Sequence, residues 1–482
     1  MKKISKLFIL LATFFIGLTA CTDDFEELNT DPNDPTAVPA STLLTQAQFN
    51  LANRVWSRAL NFEFGMLMVQ HFSQGEYAED SRYNQNVGTF AGSWTSFYAN
   101  SMYDLVVARE LVQADESLTD PIKNNQTAVL DILKIWAMQI VTDTWVNVPY
   151  SQAFNPDEFP TPAYDRQEDV YAGLIAELNT AIGNITVGEP GFESGDIIYG
   201  GNMAAWATLA NSLKLKIGMR IADVESGLAG TIVSEALNAG VMASEADNFM
   251  LSFDPADEED PRLSNPFFVD AVVNSRDDFS VSDVLVDALK AKNDPRLMAF
   301  ADTTATGEYV GLDYGLLDGP SFDLFPNTSR PNPSIREATA PAYLYTYAEV
   351  KFFEAEAIQR GFVAGDAAAA YDAAVTSSMN QWGITDATAI ADYLTANPYD
   401  AANWDQSIGE QKWIALYTNG LEAWSEWRRL DVPALEVPDA AVTANIPTRA
   451  LYTNDELGNN AESVSNAGIA NEMTVKPWWD VN

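Results

Sequence analysis

Apolar residues recur along this 482-residue chain at steps of three and four, a spacing that only an α-helix can gather onto one face. Met203, Trp206, Ala210, Leu213 and Ile217 form one such stripe. Others run over about 41 to 60, 94 to 114, 122 to 142, 167 to 183, 343 to 360, 364 to 381 and 404 to 428. Many come in pairs joined by short polar or glycine-containing breaks. In the last pair Trp413, Leu416 and Tyr417 line one helix, Thr418-Asn419-Gly420 offers a left-handed stop, and Leu421, Ala423, Trp424 and Trp427 line the next. Ala348, Ala355, Ala368 to Ala370, Ala373 and Ala374 are small residues where neighbouring helices must approach closely. The pattern predicts a mainly α fold, a tetratricopeptide-like stack of helix pairs without a strict 34-residue sequence period. Trp206, Trp413, Trp424 and Trp427 read as core.

Between about 244 and 342 the periodicity fades and Pro, Gly, Asp and aromatic residues take over, apart from one helix predicted over Ser282 to Lys292. Aromatic content of this kind argues against disorder, so the segment reads as a loop-rich lobe laid over the stack. Gln74 to Ser93 has the same character.

The N-terminus is a different object. Lys2, Lys3 and Lys6 precede an apolar run from Leu7 to Leu18, then Thr19, Ala20 and Cys21. The run is too short to span a bilayer comfortably and has the layout of an export signal over 1–20. Leu18-Thr19-Ala20-Cys21 resembles a bacterial lipobox, and Cys21 is the chain's single cysteine. The predicted outcome is cleavage before Cys21 and lipidation of its thiol, with 21–38 as a tether broken by Asp31-Pro32-Asn33-Asp34-Pro35 and a single folded domain over 39–482. With Cys21 consumed no disulfide is available, so stability must come from packing.

Of 27 Lys and Arg, the signal removes three, leaving 24 against 68 Asp and Glu, a net charge of −44 on the mature chain. Such a field repels polyanions, which disfavours nucleic acid and acidic polysaccharides as partners and leans toward a neutral ligand. His71 is the sole histidine and no serine sits in a G-x-S-x-G turn, which leaves triad chemistry and a histidine metal site without residues. Asp254, Asp257, Glu258, Glu259 and Asp260 are hard-oxygen ligands of the type calcium takes, in a spacing foreign to the EF-hand; no cofactor is expected beyond that possibility. A glycosidase using a carboxylate pair is the enzymatic alternative, and a protein-binding tetratricopeptide scaffold is a third reading.

Several segments in order carry a resemblance: Phe25-Glu26-Glu27-Leu28-Asn29-Thr30-Asp31-Pro32-Asn33, Thr142 to Tyr150, Asn293-Asp294-Pro295-Arg296-Leu297, Tyr347 to Ala357, Gln411 to Tyr417, Glu422 to Arg429 and Trp478-Trp479-Asp480. Together they resemble the SusD/RagB-like nutrient-binding outer-membrane lipoproteins of Bacteroidetes-type bacteria. The resemblance implies four tetratricopeptide-like helix pairs with a loop-borne ligand site. It also implies a non-enzymatic role: capture of a glycan, or sometimes a peptide, at the outer face of the outer membrane, where the family member lies like a lid on its partner, a SusC-like TonB-dependent transporter of that membrane.

Sugar binding needs flat apolar faces for the C–H sides of rings and polar groups for hydroxyls, set on loops of a rigid scaffold. Two regions supply the mixture. One holds Tyr77, Arg82, Tyr83, Asn84, Gln85, Asn86, Phe90 and Trp94; the other holds Phe267, Phe268, Asn274, Arg276, Asp277, Asp278, Tyr309, Tyr314, Phe322 and Phe325. From these the predicted ligand contacts are Tyr77, Arg82, Tyr83, Trp94, Asn274, Arg276, Asp278, Tyr314 and Phe325, with the rings of Tyr83, Trp94, Tyr314 and Phe325 expected to form a shelf open to solvent. Arg428 and Arg429, at a helix end, are expected to pair with Glu349 or Glu356.

If Cys21 carries the lipid, mass spectrometry of the membrane fraction will find an acylated N-terminal Cys21, and a Cys21→Ala protein will leave the membrane. A substituted protein that stays fully membrane-bound refutes the assignment.

Overall fold

Twelve helices of nine or more residues dominate the computed structural model of the protein, which describes residues 38–255 and 263–482. The signal at 1–20, Cys21, nearly all of the tether, and Asp257, Glu258, Glu259 and Asp260 lie outside the described residues. Residues Ala40–Asn482 make one compact unit. In chain order the helices are α1 (Ala40–Val55), α2 (Tyr103–Ala114), α3 (Asp120–Trp145), α4 (Gln167–Asn184), α5 (Met203–Arg220), α6 (Ser226–Ala239), α7 (Asp283–Ala291), α8 (Tyr347–Gln359), α9 (Ala367–Gln381), α10 (Ala387–Ala396), α11 (Trp404–Ala415) and α12 (Gly420–Leu430). Three two-stranded antiparallel ribbons accompany them: β1 (Phe72–Gln74) with β5 (Phe279–Val281), β2 (Val148–Pro149) with β3 (Tyr164–Asp165), and β4 (Phe249–Leu251) with β6 (Ala342–Tyr345).

Local sequence explains where the helices start. Asn202 caps α5 by accepting from the Ala204 and Ala205 amides. Thr346 and Glu349 form a capping box on α8, so two amides that the helix itself cannot satisfy find oxygens. The successive pairs α3/α4, α5/α6, α8/α9 and α11/α12 pack against each other, giving the tetratricopeptide-like stack that the periodicity predicts, with the four pairs that the resemblance implies. Trp206, Trp413 and Trp424 are buried as expected, whereas Trp427 is half-buried with its indole donating to the Pro433 carbonyl. Of the alanines, Ala348, Ala355, Ala370 and Ala374 are buried between helices, but Ala368 and Ala369 face solvent.

The turn between α11 and α12 works differently from its sequence reading. Thr418, not Gly420, takes the left-handed conformation, with φ 75°. Gly420 is needed for proximity: a Cβ there would stand 2.3 Å from the Met66 nitrogen, and one on Gly65 would stand 2.4 Å from the Gly420 carbonyl carbon. Two bare backbones therefore touch where α12 crosses the wide helical turn Arg58–Gly65.

A buried ionic network joins the stack. Glu426 on α12 receives Lys412 of α11 at 2.7 Å, Arg429 at 2.7 Å and Arg220 of α5 at 3.2 Å. Arg429 grips Glu356 of α8 with two 2.6 Å hydrogen bonds, realising one of the two expected pairings. Glu422 binds Arg220 at 2.8 Å and Lys216 at 3.0 Å, while Lys216 also reaches Glu349 at 3.5 Å and Arg220 approaches Asp143 of α3 at 3.6 Å. Arg428 instead donates to the carbonyls of Asp143 and Thr448. The surrounding cations, Arg429 first, outweigh burial and hold Glu426 well below the usual carboxylate range; Arg429 likewise lowers Glu356. Burial pulls Lys412 down to about 8 and raises Glu349 to about 7.

Removing one member should be costly, because it strands buried charges: Glu426→Gln is expected to lose about 3–5 kcal/mol of stability at pH 7 in denaturant titration. The pH dependence has a definite sign. A carboxylate held below its unfolded value of 4.5 contributes stability that is present above that pH and lost as pH falls through the folded value. The variant's stability should therefore fall less steeply in acid than the parent's; equal slopes contradict the assignment.

Candidate functional site

The β1–β5 ribbon decides which loops meet. Its register pairs Phe72 with Val281, Ser73 with Ser280 and Gln74 with Phe279, and the Gly75 amide continues it by donating to the Asp278 carbonyl at 2.7 Å. The segment leaving β1 and the segment entering β5 thus emerge at one end of the ribbon, uniting both regions singled out in the sequence. Arg276 lays its guanidinium 4.8 Å from the centroid of the Tyr77 ring, which is 60% exposed. Arg276 also binds Asp278 at 2.7 Å, and the same oxygen, Oδ2, takes Arg58 at 2.6 Å. Arg58 continues to Asp270 at 2.5 Å and to Glu63, and these carboxylates outweigh its own burial to raise its pKa. Asp278 is accordingly a buried, doubly paired brace for Arg276.

Arg82 is mostly buried and lies 3.7 Å from Asp318, whose carboxylate also accepts the Ala78 amide at 3.0 Å. These contacts fasten the short helix Asp318–Leu324 beside the loop after β1 and leave Phe322 57% exposed and Leu317 56% exposed. Asn274 is exposed at the end of the turn Val269–Val273, next to the half-exposed Val272 and Val273. Burial raises Asp80, at the root of the same loop, to about 7, with Glu63 adding to the shift.

The expected open shelf of four rings is not what the fold builds. Phe325 is buried against Gly75, where a Cβ would fall 2.0 Å from its ring, and Arg330 covers it at 3.1 Å from the centroid. Tyr83 is fully buried and accepts from the Gln70 amide at 3.4 Å; burial pushes its phenol up to about 12. Tyr314, 6.4 Å from it, donates its hydroxyl to the Leu67 carbonyl at 2.6 Å, and burial raises it too. These rings wedge the loops onto the stack, because a loop that carries an aromatic every few residues can bury some of them beneath itself. Trp94 is 6% exposed and packs on Trp145 at 5.3 Å and Tyr98 at 4.8 Å. It lines a different cleft, with Tyr103, Phe154 and Phe159, instead of joining Tyr77.

Sequence reasoning missed Arg58, Arg330 and Arg336, the last held on the Asp277 carboxylate at 3.1 Å. Nothing in their immediate sequence marks them; they matter only because the ribbon carries 270–278 to them. It also missed the cleft around Phe159, although Phe159-Pro160-Thr161-Pro162 stands out as an aromatic and proline-rich loop. His71 is fully buried with its ring 4.8 Å from Trp413, and burial lowers its pKa to about 3, so it stays neutral. Among the described residues no group of three or more His, Cys, Asp or Glu side chains is placed to hold a metal ion, and no helix is long and apolar enough to cross a membrane.

Residues 32–453 match the SusD-like family described as starch-binding and associating with the outer membrane. No curated protein matches by sequence. A solved chitin-binding protein superposes with a TM-score of 0.82 at 28% identity, covering 92% of this chain and 100% of its own. A SusD homologue from Bacteroides uniformis gives a TM-score of 0.79 at 25% identity over 91% and 99% of the two chains. A chitin-binding SusD homologue from Flavobacterium johnsoniae shares the fold with a TM-score of 0.78 at 24% identity, over 91% and 99%. The family is one of carbohydrate-binding proteins and not of enzymes, which removes the glycosidase alternative. A match across most of the chain, on a shared fold, makes this protein a member of the SusD-like family.

Proposed function

We propose that this chain is a lipid-anchored glycan-binding protein of the outer face of the outer membrane, which captures an oligo- or polysaccharide and passes it to a SusC-like TonB-dependent transporter. The observation that carries the reading is the union, by one ribbon, of an exposed tyrosine, a braced guanidinium and exposed apolar side chains on a single loop-built face. Tyr77 and Phe322 offer ring faces to sugar C–H groups, and Asn274 and Arg276 offer donors to hydroxyls. Asp278 and Arg82 work one layer back: the first fixes Arg276, and the second holds the Asp318–Leu324 helix in place. Tyr83, Tyr314 and Phe325 support the loops from beneath. Relatedness to a chitin-binding protein at 28% identity favours a glycan ligand, and the net charge favours a neutral one.

Affinity-gel electrophoresis over neutral and acidic polysaccharides, followed by calorimetry on any that retard the protein, tests this directly. Tyr77→Ala and Phe322→Ala should each weaken binding by about tenfold or more with melting unchanged, because anchoring rings dominate such contacts and these two add little to the core. Phe325→Ala should instead cost about 3–5 kcal/mol of stability. A protein that no glycan retards, or exposed-ring variants that bind like the parent, would refute the site.

A further inference from the structure

The loop between β2 and β3 builds a second aromatic surface that shares no residue with the face around Tyr77. It borders a cleft of about 350 Å³ lined by Trp94, Tyr98, Tyr103, Phe154 and Phe159, with Glu456 among the polar groups. The loop is held at several points. Asp165 accepts the amides of Tyr150 at 3.0 Å and Ser151 at 2.7 Å, Gln152 accepts the Ala163 amide at 2.8 Å, and the Phe159 amide donates to the Asn155 carbonyl at 2.8 Å. Phe154 takes a left-handed backbone, φ 66°, and its ring stacks on Tyr98 at 5.8 Å and 28°. A non-glycine residue in that conformation is unfavourable by itself and persists where its surroundings impose it, often at binding sites.

Two features point to the kind of occupant. Within the cleft, aromatic faces combine with a carboxylate held in position: Glu456 accepts from the Tyr164 hydroxyl at 2.8 Å and the Asn460 amide at 3.3 Å. Beyond Phe154, which lines both, the surface continues into a groove of about 570 Å³. There Arg109 meets Asp131 at 3.2 Å, Lys134 meets Glu177 at 2.9 Å, and Tyr150 donates its hydroxyl to Glu177 at 2.7 Å. Each cation in the groove has its carboxylate, so the groove offers donors and acceptors without a strong field of either sign. A flat, apolar-faced and hydroxyl-rimmed neutral molecule matches both halves, whereas an anionic one would meet Glu456.

We propose that this cleft and groove form a second glycan site, in which a neutral pyranose ring stacks in the aromatic cleft and the next sugars of the same chain cross Phe154 into the groove. The proposal rests on the glycan-binding reading given above and adds a place for it. Two preformed sites on one tethered protein would let it hold one polymer at two points, raising avidity through effective concentration.

Calorimetry of the mature protein with maltotriose and with triacetylchitotriose, both too short to bridge distant faces, tests the idea. The expected result is two equivalents per chain for at least one of these sugars. Tyr103→Ala/Phe159→Ala should weaken one equivalent by about tenfold or more, and Tyr77→Ala should remove the other. Tyr103 and Phe159 are chosen because they are partly exposed, whereas Trp94 belongs to the core; unchanged melting of the double variant separates lost contact from lost fold. Glu456→Gln gives an independent arm, expected to weaken the same equivalent. A single equivalent that only Tyr77→Ala abolishes overturns the second site and leaves the glycan reading standing. A cleft that takes a proline-rich peptide but neither sugar overturns it in favour of peptide capture. Absence of any sugar binding at either face overturns both.

Discussion

Glu426 sits 3% exposed in the middle of a helical stack, an environment in which an unpaired carboxylate would shed its charge or unfold the protein. It keeps its charge because three cations from α5, α11 and α12 converge on it, and those cations in turn reach Glu422, Glu356 and Asp143. The network therefore reads out the positions of α3, α5, α8, α11 and α12 at once. A helix displaced by an ångström or two would break several of these contacts together. Removing any one partner would strand the buried charge of the others, so the set is satisfied only with every one of these helices in place.

The ligand-facing loops inherit their placement from that scaffold. Gly65 against Gly420 brings the Arg58–Gly65 turn onto α12, and Arg58 at its start reaches out to Asp270 and Asp278. One short chain of contacts thus runs from the ionic centre to the brace beneath Arg276. Gly75 does similar work further out: without a side chain it lets Phe325 lie directly on the loop, and Arg330 closes over the ring.

How far the sequence reveals this depends on the range of the interaction. Helices such as α4 and α7 show in the apolar spacing almost to the residue, because their pattern and caps are local: Gln167–Asn184 against 167 to 183, and Asp283–Ala291 against Ser282 to Lys292. The two loop regions show as unusual composition, and their meeting does not, since it depends on β1 pairing with β5 over three residues each. Nor does sequence tell Tyr77 from Tyr83. Both are loop tyrosines with positive φ, yet one is 60% exposed and the other fully buried, a difference set by which side of the loop faces the stack. Trp94 resembles a loop aromatic at the mouth of a helix and instead packs on Trp145, which belongs to the far end of α3.

The ribbon that unites the loops also has a kinetic meaning. Gln70 and Ser282, bonded at its edge, stand 212 positions apart in the chain. Closing so long a loop is entropically demanding, and contacts of this separation form late unless something else has already drawn their ends together. The face around Tyr77 can therefore exist only after residues 279–281 have found Phe72–Gln74, so it is completed by a long-range pairing and not by either loop alone.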